Sequence, residues 1–397
     1  MSLLFLVSCG DDSDSSVIVP DAYIFLRDGN STVSFSGQTT RILMAEELIA
    51  ALSDPSSSKE DLLNMFRNKD EEGNEVDPYQ SVDLNASTKS ISSKVATSRD
   101  FFFSNTVESA TISNQFEVWI EKQATEVFPY EETLATPGIS GQIADESTFR
   151  YVSTKGLEYN QVFGKSLIGA LMVDQILNNY LSPSVLDEAD NRLNNEGEIL
   201  AEGESYTTME HNWDEAYGYL FGNSMSIENP MSDLGSGDNF LNKYVGRVND
   251  DNDFEGIGLE IYSAFKLGRA AIVAKDYDVR DQQADIIKDR LSKVISIRAV
   301  HYLQQGKNAL PLDGNLSKYG TVFHNLSEGI GFVYSLRFTR RSGSSESYFT
   351  RAEVDGFLDL MLNNSANGLW DIDGEILDSI SKSIADKFDF TIAQAAD

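Results

Sequence analysis

Residues 154–181 read TKGLEYNQVFGKSLIGALMVDQILNNYL, the longest stretch of the chain with a helical repeat of apolar residues. The apolar side chains face more than one side of the predicted helix, so this helix should lie at the centre of the fold with most of its surface buried. Gly164 and Gly169 each cost helix stability, which indicates that another helix approaches closely at these points. The apolar positions are Leu157, Val162, Phe163, Leu167, Leu171, Ile176 and Leu177.

The rest of the chain predicts more helices, with one exception near the N-terminus. In residues 21–40, Val33 and Phe35 alternate with polar residues after an Asp28-Gly29 turn, which predicts a β-hairpin. The predicted fold is all-α: an elongated or two-lobed helical bundle with a short N-terminal β-hairpin and a break between lobes near residues 225–240. The other predicted helices cover residues 41–54, 58–66, 88–103, 106–128, 207–222, 239–247, 255–277, 281–306, 314–338, 350–363 and 370–390.

The first residues resemble a bacterial lipoprotein signal. Leu6-Val7-Ser8-Cys9 fits the motif in which cleavage precedes a cysteine that receives acyl chains, and Cys9 is the only cysteine of the chain. The apolar run before it is too short to span a bilayer. We therefore expect residues 1–8 to be a truncated signal segment and residues 9–20 to be a disordered acidic tether. Lipid on Cys9 would hold the protein to the outer membrane, on the cell surface or on the periplasmic face.

The charge of the chain restricts its partners. The 63 acidic residues outnumber the 31 basic ones, which gives a net charge of −32. Nucleic acids are bound through lysine and arginine, so nucleic acid is excluded as a partner. An anionic membrane surface would also repel the domain, so the lipid must provide the attachment.

Two of the three histidines have carboxylates at helical spacing. Asp214 and Glu215 follow His211 by three and four residues, and Glu328 follows His324 by four. Such pairs supply metal ligands in helical bundles, so they are candidate ligands for iron or another divalent metal. In so acidic a chain, a helical histidine has roughly a 30% chance of such a neighbour, counted over the two offsets that face each other. A structural hydrogen bond is therefore the competing interpretation.

Other chemical templates are absent from the sequence. The acidic stretch 249–256 resembles a calcium loop, but Tyr262 stands at the position that requires glutamate. The chain contains no zinc-protease motif, phosphate loop, dinucleotide fingerprint or serine elbow. We therefore predict no catalytic residues.

Four stretches resemble a known family. Residues 35–41 (FSGQTTR), 155–159 (KGLEY), 209–218 (MEHNWDEAYG) and 324–329 (HNLSEG) resemble domain of unknown function 4856, a family of exported lipoproteins. The resemblance also implies a distant relationship to imelysin-like proteins, which are helical, two-lobed and associated with iron uptake. Residues 21–397 would then form one imelysin-like helical domain. The imelysin motif Gly-x-His-x-x-Glu is incomplete here, since Met209 and Val322 replace its glycine.

These observations lead to a functional expectation with two alternatives. The leading one is a non-enzymatic, lipid-anchored envelope protein that serves iron or metal acquisition by binding a metal or an envelope protein partner. The alternatives are a metal-dependent, peptidase-like hydrolase and a structural envelope protein without a ligand. If His211 has a structural role, it or Glu215 should contact the central helix, at Glu158 or Tyr159, beside a buried Trp213. Replacing His211 by alanine would then cost about 1–3 kcal/mol.

Overall fold

The computed structural model describes residues 17–311, 313–315 and 318–396. The predicted signal segment, Cys9 and most of the predicted tether lie outside them. The predicted all-α fold with an N-terminal hairpin is confirmed, since the described residues form mainly helices and two small antiparallel hairpins. The strands are β1 Leu26–Arg27, β2 Asn30–Ser31, β3 Gly141–Asp145 and β4 Thr148–Val152. The α-helices are α1 Ser36–Ala51, α2 Lys59–Arg67, α3 Val82–Asn85, α4 Arg99–Phe102, α5 Thr106–Lys122, α6 Tyr159–Leu167, α7 Pro183–Leu186, α8 Asn191–Glu196, α9 Thr208–Phe221, α10 Leu241–Asn249, α11 Ile257–Ala274, α12 Tyr277–Asn308, α13 Gly320–Ser335, α14 Arg351–Leu362, α15 Gly374–Ala385 and α16 Ile392–Ala396.

The central helix is the predicted one, but it begins later. Gly156 has a φ of +81°, so the backbone turns there, and α6 begins at Tyr159. The helix then continues through two π-helical segments, Ile168–Val173 and Ile176–Tyr180. Nearly every residue of the first segment is buried, as the apolar pattern predicts. No helix among the described residues is both long enough and apolar enough to cross a membrane.

Glycines bring the central helix and α13 into close contact. A Cβ on Gly331 would lie 2.4 Å from the Cβ of Lys165, and a Cβ on Gly169 would lie 2.6 Å from the Cα of Ser335. Both distances are shorter than van der Waals contact, so only glycine fits at these crossings. The close approach expected at Gly169 is thus confirmed, and α13 is the helix that approaches.

Two elements differ from the sequence-based prediction. The helix predicted over residues 88–103 is wrong, because only the short α4 and one 3₁₀ turn, Ser92–Lys94, form there. The hairpin of β3 and β4 was not predicted. Glu146, in the turn between its strands, has a φ of +53°. One apolar core runs through the described chain from Tyr23 to Ala395. The predicted division into two lobes near residues 225–240 stays a prediction.

Candidate functional site

Asp214, a predicted metal ligand, is paired with an arginine. Its Oδ1 accepts hydrogen bonds from Nε of Arg269, at 3.0 Å, and from the hydroxyl of Tyr23, at 2.7 Å. Both Asp214 and Arg269 are completely buried. Burial raises the pKa of Asp214 to about 6, against the opposing attraction of Arg269. This carboxylate therefore joins the N-terminal segment to α9 and α11.

Glu210 extends the same cluster toward the N-terminal hairpin. It accepts hydrogen bonds from Arg269 Nη1 at 3.1 Å and from both terminal nitrogens of Arg27 at 2.9 and 3.0 Å. Burial opposes ionisation of Glu210, but the attraction of Arg269 and the hydrogen bonds from Arg27 outweigh it and lower its pKa. Sequence reasoning missed this cluster, which we call the hairpin network. Its members are Tyr23, Arg27, Glu210, Asp214 and Arg269.

His211 lies at the edge of α9 and is only half-buried. Its imidazole stacks on Tyr206, with ring centroids 4.6 Å apart, and its Nε2 lies 3.8 Å from Oε1 of Glu215. Glu215 accepts a hydrogen bond from the Gln38 amide at 2.7 Å. Trp213 is fully buried, as predicted, and donates its indole N–H to the carbonyl of Phe265. Neither His211 nor Glu215 contacts Glu158 or Tyr159, so that predicted contact is wrong.

Glu158 contacts the other histidine. Its Oε1 lies 3.4 Å from Nδ1 of His324, and its backbone N–H donates to the hydroxyl of Ser327. Tyr159, the next residue, points its hydroxyl toward Glu126 at 3.5 Å. The partner of His324 therefore comes from the start of α6 rather than from its own helix.

Glu328, the predicted partner of His324, is paired with a lysine. Its Oε1 lies 3.1 Å from Nζ of Lys165 on the central helix, and both side chains are largely buried. Burial opposes the ionisation of Glu328, but Lys165 and His324 outweigh it and lower the pKa of Glu328 to about 2. This carboxylate is thus a stable anion held by a protein cation.

The predicted metal ligands do not form one set. Among the described residues, no three His, Cys, Asp or Glu side chains are placed to hold a metal ion. Asp214 and Glu328 are each held by a cationic side chain, and the two histidines have different partners. The side chains present thus do not fit a resident metal with three or four protein ligands.

A polar cleft opens beside His324 and Glu328. It has a volume of about 760 Å³, and its walls come from α10, α12, α13 and the turn that follows α10. Tyr244 and Tyr302 lie against each other with ring centroids 6.3 Å apart. Both cationic side chains and carboxylates of the acidic stretch 249–256 line the cleft. The charged and histidine side chains are Lys243, Arg247, Arg298, His301, His324, Glu328, Asp250, Asp251 and Asp253.

The four stretches that resemble the family meet in pairs. Residues 35–41 contact residues 209–218, since Gln38 binds Glu215 and a Cβ on Gly218 would lie 2.4 Å from the Cβ of Phe35. Residues 155–159 contact residues 324–329 through Glu158 and His324. One pair adjoins the hairpin network and the other adjoins the cleft.

Comparisons with known proteins give one result. No curated protein and no solved structure matches the chain. A family model, domain of unknown function (DUF4856), matches residues 20–391, nearly the whole chain. The predicted family assignment is therefore confirmed, whereas the relationship to imelysin-like proteins stays a prediction. The hairpin network and every charged or histidine side chain of the cleft lie within the matched range, and this protein belongs to the DUF4856 family.

Proposed function

We propose that this protein is a non-enzymatic binding protein of the bacterial cell envelope, anchored by lipid on Cys9, that takes a small ligand into the cleft. The cleft carries this proposal. Its volume of about 760 Å³ lies within the range of roughly 300–1,000 Å³ typical of small-molecule sites. Three helices of the core form most of its walls, and polar side chains from all three converge in it.

A role in iron or metal acquisition is part of the same proposal. Because the described residues hold no set of three metal-binding side chains, a metal would reach this protein with the bound ligand or through an envelope protein partner. The resemblance to imelysin-like proteins supports this role. His324 and Glu158, 3.4 Å apart, are the pair that could add one or two ligands to a metal bound in this way.

The two alternatives differ from this proposal in what the cleft should do. A metal-dependent hydrolase needs a metal with an open coordination position and three protein ligands. The three carboxylates predicted as ligands, Asp214, Glu328 and Glu215, are instead engaged by Arg269, Lys165 and Gln38. A purely structural envelope protein would leave the cleft without a ligand, and it is the alternative that a binding experiment decides.

The experiment fills the cleft and measures binding. A low-molecular-mass extract of the source cells should raise the melting temperature of the wild-type protein. Asn325→Trp, which places an indole in the cleft, should abolish this rise. Asn364→Trp is the matched control, because Asn364 is exposed. An extract that shifts no melting temperature, or shifts the wild type and Asn325→Trp equally, refutes the proposal. The anchor is checked by incorporation of labelled palmitate, which Cys9→Ser should prevent.

A further inference from the structure

Arg298 on α12 is a buried cation that has no carboxylate at ion-pair distance among the described residues. It is 8% exposed, and its guanidinium lies over the rings of Tyr302 and Tyr244, at 4.7 and 5.4 Å from their centroids. Its Nε has no hydrogen-bond partner among the described residues. Cation–π contacts contribute about 0.5–2 kcal/mol, far less than the cost of taking a cation out of water. Arg298 is therefore incompletely compensated, and it lines the cleft.

Three other buried arginines are paired with carboxylates, and Arg41, the fourth, instead donates hydrogen bonds to the backbone carbonyls of Ser90 and Gly37. Arg269 lies 3.0 Å from Asp214, Arg280 lies 2.7 Å from Asp187, and Arg340 lies 2.8 Å from Asp100. Each of these guanidiniums is thus neutralised within the protein. In a chain with 63 acidic residues, the absence of a carboxylate at Arg298 is not explained by a shortage of acids. Arg298 instead lines the cleft.

Two more cations line the cleft. Lys243 and Arg247 are one turn apart on α10, and within the described chain neither has a carboxylate at ion-pair distance. Burial lowers the pKa of Lys243, and the neighbouring Lys165 lowers it further. A negative charge placed beside Lys243 would offset this repulsion, and Lys243 and Arg298 both lie over the ring of Tyr244, at 5.9 and 5.4 Å from its centroid. Glu328, which attracts Lys243, is already held by Lys165.

We propose that the cleft binds a small oxyanion, a molecule with a carboxylate or phosphate group, through Arg298, Lys243 and Arg247. This inference rests on the proposed binding function and names its ligand class. A guanidinium offers parallel N–H donors that match a carboxylate or a phosphate, and lysine adds a point charge. Tyr302, which is half-buried in the wall of the cleft, gives the rest of the ligand an aromatic surface.

The mouth of the cleft limits which anions can enter. Asp250 and Asp253 are exposed there, and Asp251 is half-buried beside them. Their negative charges repel a polyanion that extends beyond the cleft, such as a nucleic acid or an anionic polysaccharide. A compact anion with its charge concentrated at one end reaches Arg298 and avoids these carboxylates. The ligand is therefore a small molecule and not an anionic polymer.

The test uses inorganic phosphate and citrate as separate probes for the two chemistries. Isothermal titration calorimetry of the purified protein should show binding of one of them, and which one identifies the anionic group. Arg298→Met should weaken that binding at least tenfold, and Arg298→Lys, which keeps the charge without the parallel donors, should weaken it less. Lys243→Met should also weaken it. Lys382→Met removes the same charge from an exposed position and should change the affinity less than twofold.

The outcomes distinguish failure of the oxyanion inference from failure of the proposed binding function on which it rests. Circular dichroism first establishes that the variants are folded. If neither anion binds at concentrations up to 10 mM, or if Arg298→Met binds as the wild type does, the oxyanion inference is wrong. If the cell extract still stabilises the wild type and not Asn325→Trp, the binding function stands with a ligand of another class. If the extract also has no effect, both proposals fail.

Discussion

The hairpin network and the cleft each contain a buried arginine, but among the described residues only the arginine of the network is paired with carboxylates. In the network, Arg269 has two carboxylates within 3.1 Å, and these carboxylates bind the hairpin through Arg27 and Tyr23. In the cleft, Arg298 has aromatic rings beneath it and no carboxylate among the described residues. Arginine thus completes an ion-pair network at position 269, whereas at position 298 it remains available for an anionic ligand.

This difference separates structural from binding residues without reference to any motif. A buried arginine that is held by carboxylates of the protein has little capacity left for a ligand, and removing it leaves their charges stranded in the core. A buried cation that faces a cavity keeps its capacity, and removing it strands nothing. Stability measurements therefore distinguish the two regions before any ligand is known.

The largest expected effect comes from Arg269→Met. It leaves Asp214 and Glu210 buried without their shared cation, so the free energy of unfolding should fall by about 3–5 kcal/mol. Arg298→Met is the matched variant and should change that free energy by about 1 kcal/mol or less, since it removes only cation–π contacts. Urea denaturation at neutral pH measures both. Equal losses for the two variants would show that Arg298 has a hidden structural partner and would remove the contrast.

The central helix could be predicted because its signal is local. Eleven large apolar residues within 28 positions require burial on several sides, and the π-helical segments are buried accordingly. Its start could not be predicted to the residue, because the turn at Gly156 depends on Phe323, whose ring lies 2.6 Å from where a Cβ would be. The hairpin of β3 and β4 was missed because its strands have only five residues each, too few for a clear alternation of apolar and polar residues.

The site was harder to predict because its partners are distant in sequence. Spacing along a helix pairs His324 with Glu328, but the crossing of the central helix and α13 brings Lys165 to Glu328 and Glu158 to His324. Arg269 and Arg298 belong to no motif, and nothing in their sequence neighbours shows that only one of them has a carboxylate. The stretches quoted for the family resemblance nevertheless contain His324, Glu158, Glu210 and Asp214, so the resemblance located both regions without revealing what distinguishes them.

The second expected effect is a pH dependence that differs between the two regions. The folded-state pKa of Asp214 is raised to about 6 from 3.8, so its contribution to stability is fully present below pH 3.8 and is lost as the pH rises through 6. On lowering the pH from 7 to 4, the wild type should therefore gain about 1–3 kcal/mol relative to Asp214→Asn. Denaturation of both proteins at several pH values measures this difference, and other buried carboxyls cancel because both proteins contain them.

Glu328 provides the control from the cleft. Its pKa is lowered to about 2 from 4.5, so its contribution is present above pH 4.5 and is lost only as the pH falls toward 2. The difference in stability between wild type and Glu328→Gln should therefore stay nearly constant between pH 7 and pH 5. If the difference in stability between wild type and Asp214→Asn is also constant over pH 4–7, the attraction of Arg269 cancels the effect of burial on the pKa of Asp214.

The smallest expected effect concerns His211, which lies beside the hairpin network without belonging to it. Its side chain is 29% exposed and its main contact is the stack on Tyr206. Since Glu215 keeps its hydrogen bond from Gln38, His211→Ala should cost only about 0.5–1 kcal/mol, less than expected from the sequence. A double-mutant cycle with Tyr206→Leu should assign most of this cost to the pair.

A cost above about 3 kcal/mol that does not depend on Tyr206 would place His211 inside the network. If zinc or ferrous iron stabilises the wild type but not His211→Ala, the histidine binds metal after all, and the cleft is not the only ligand site.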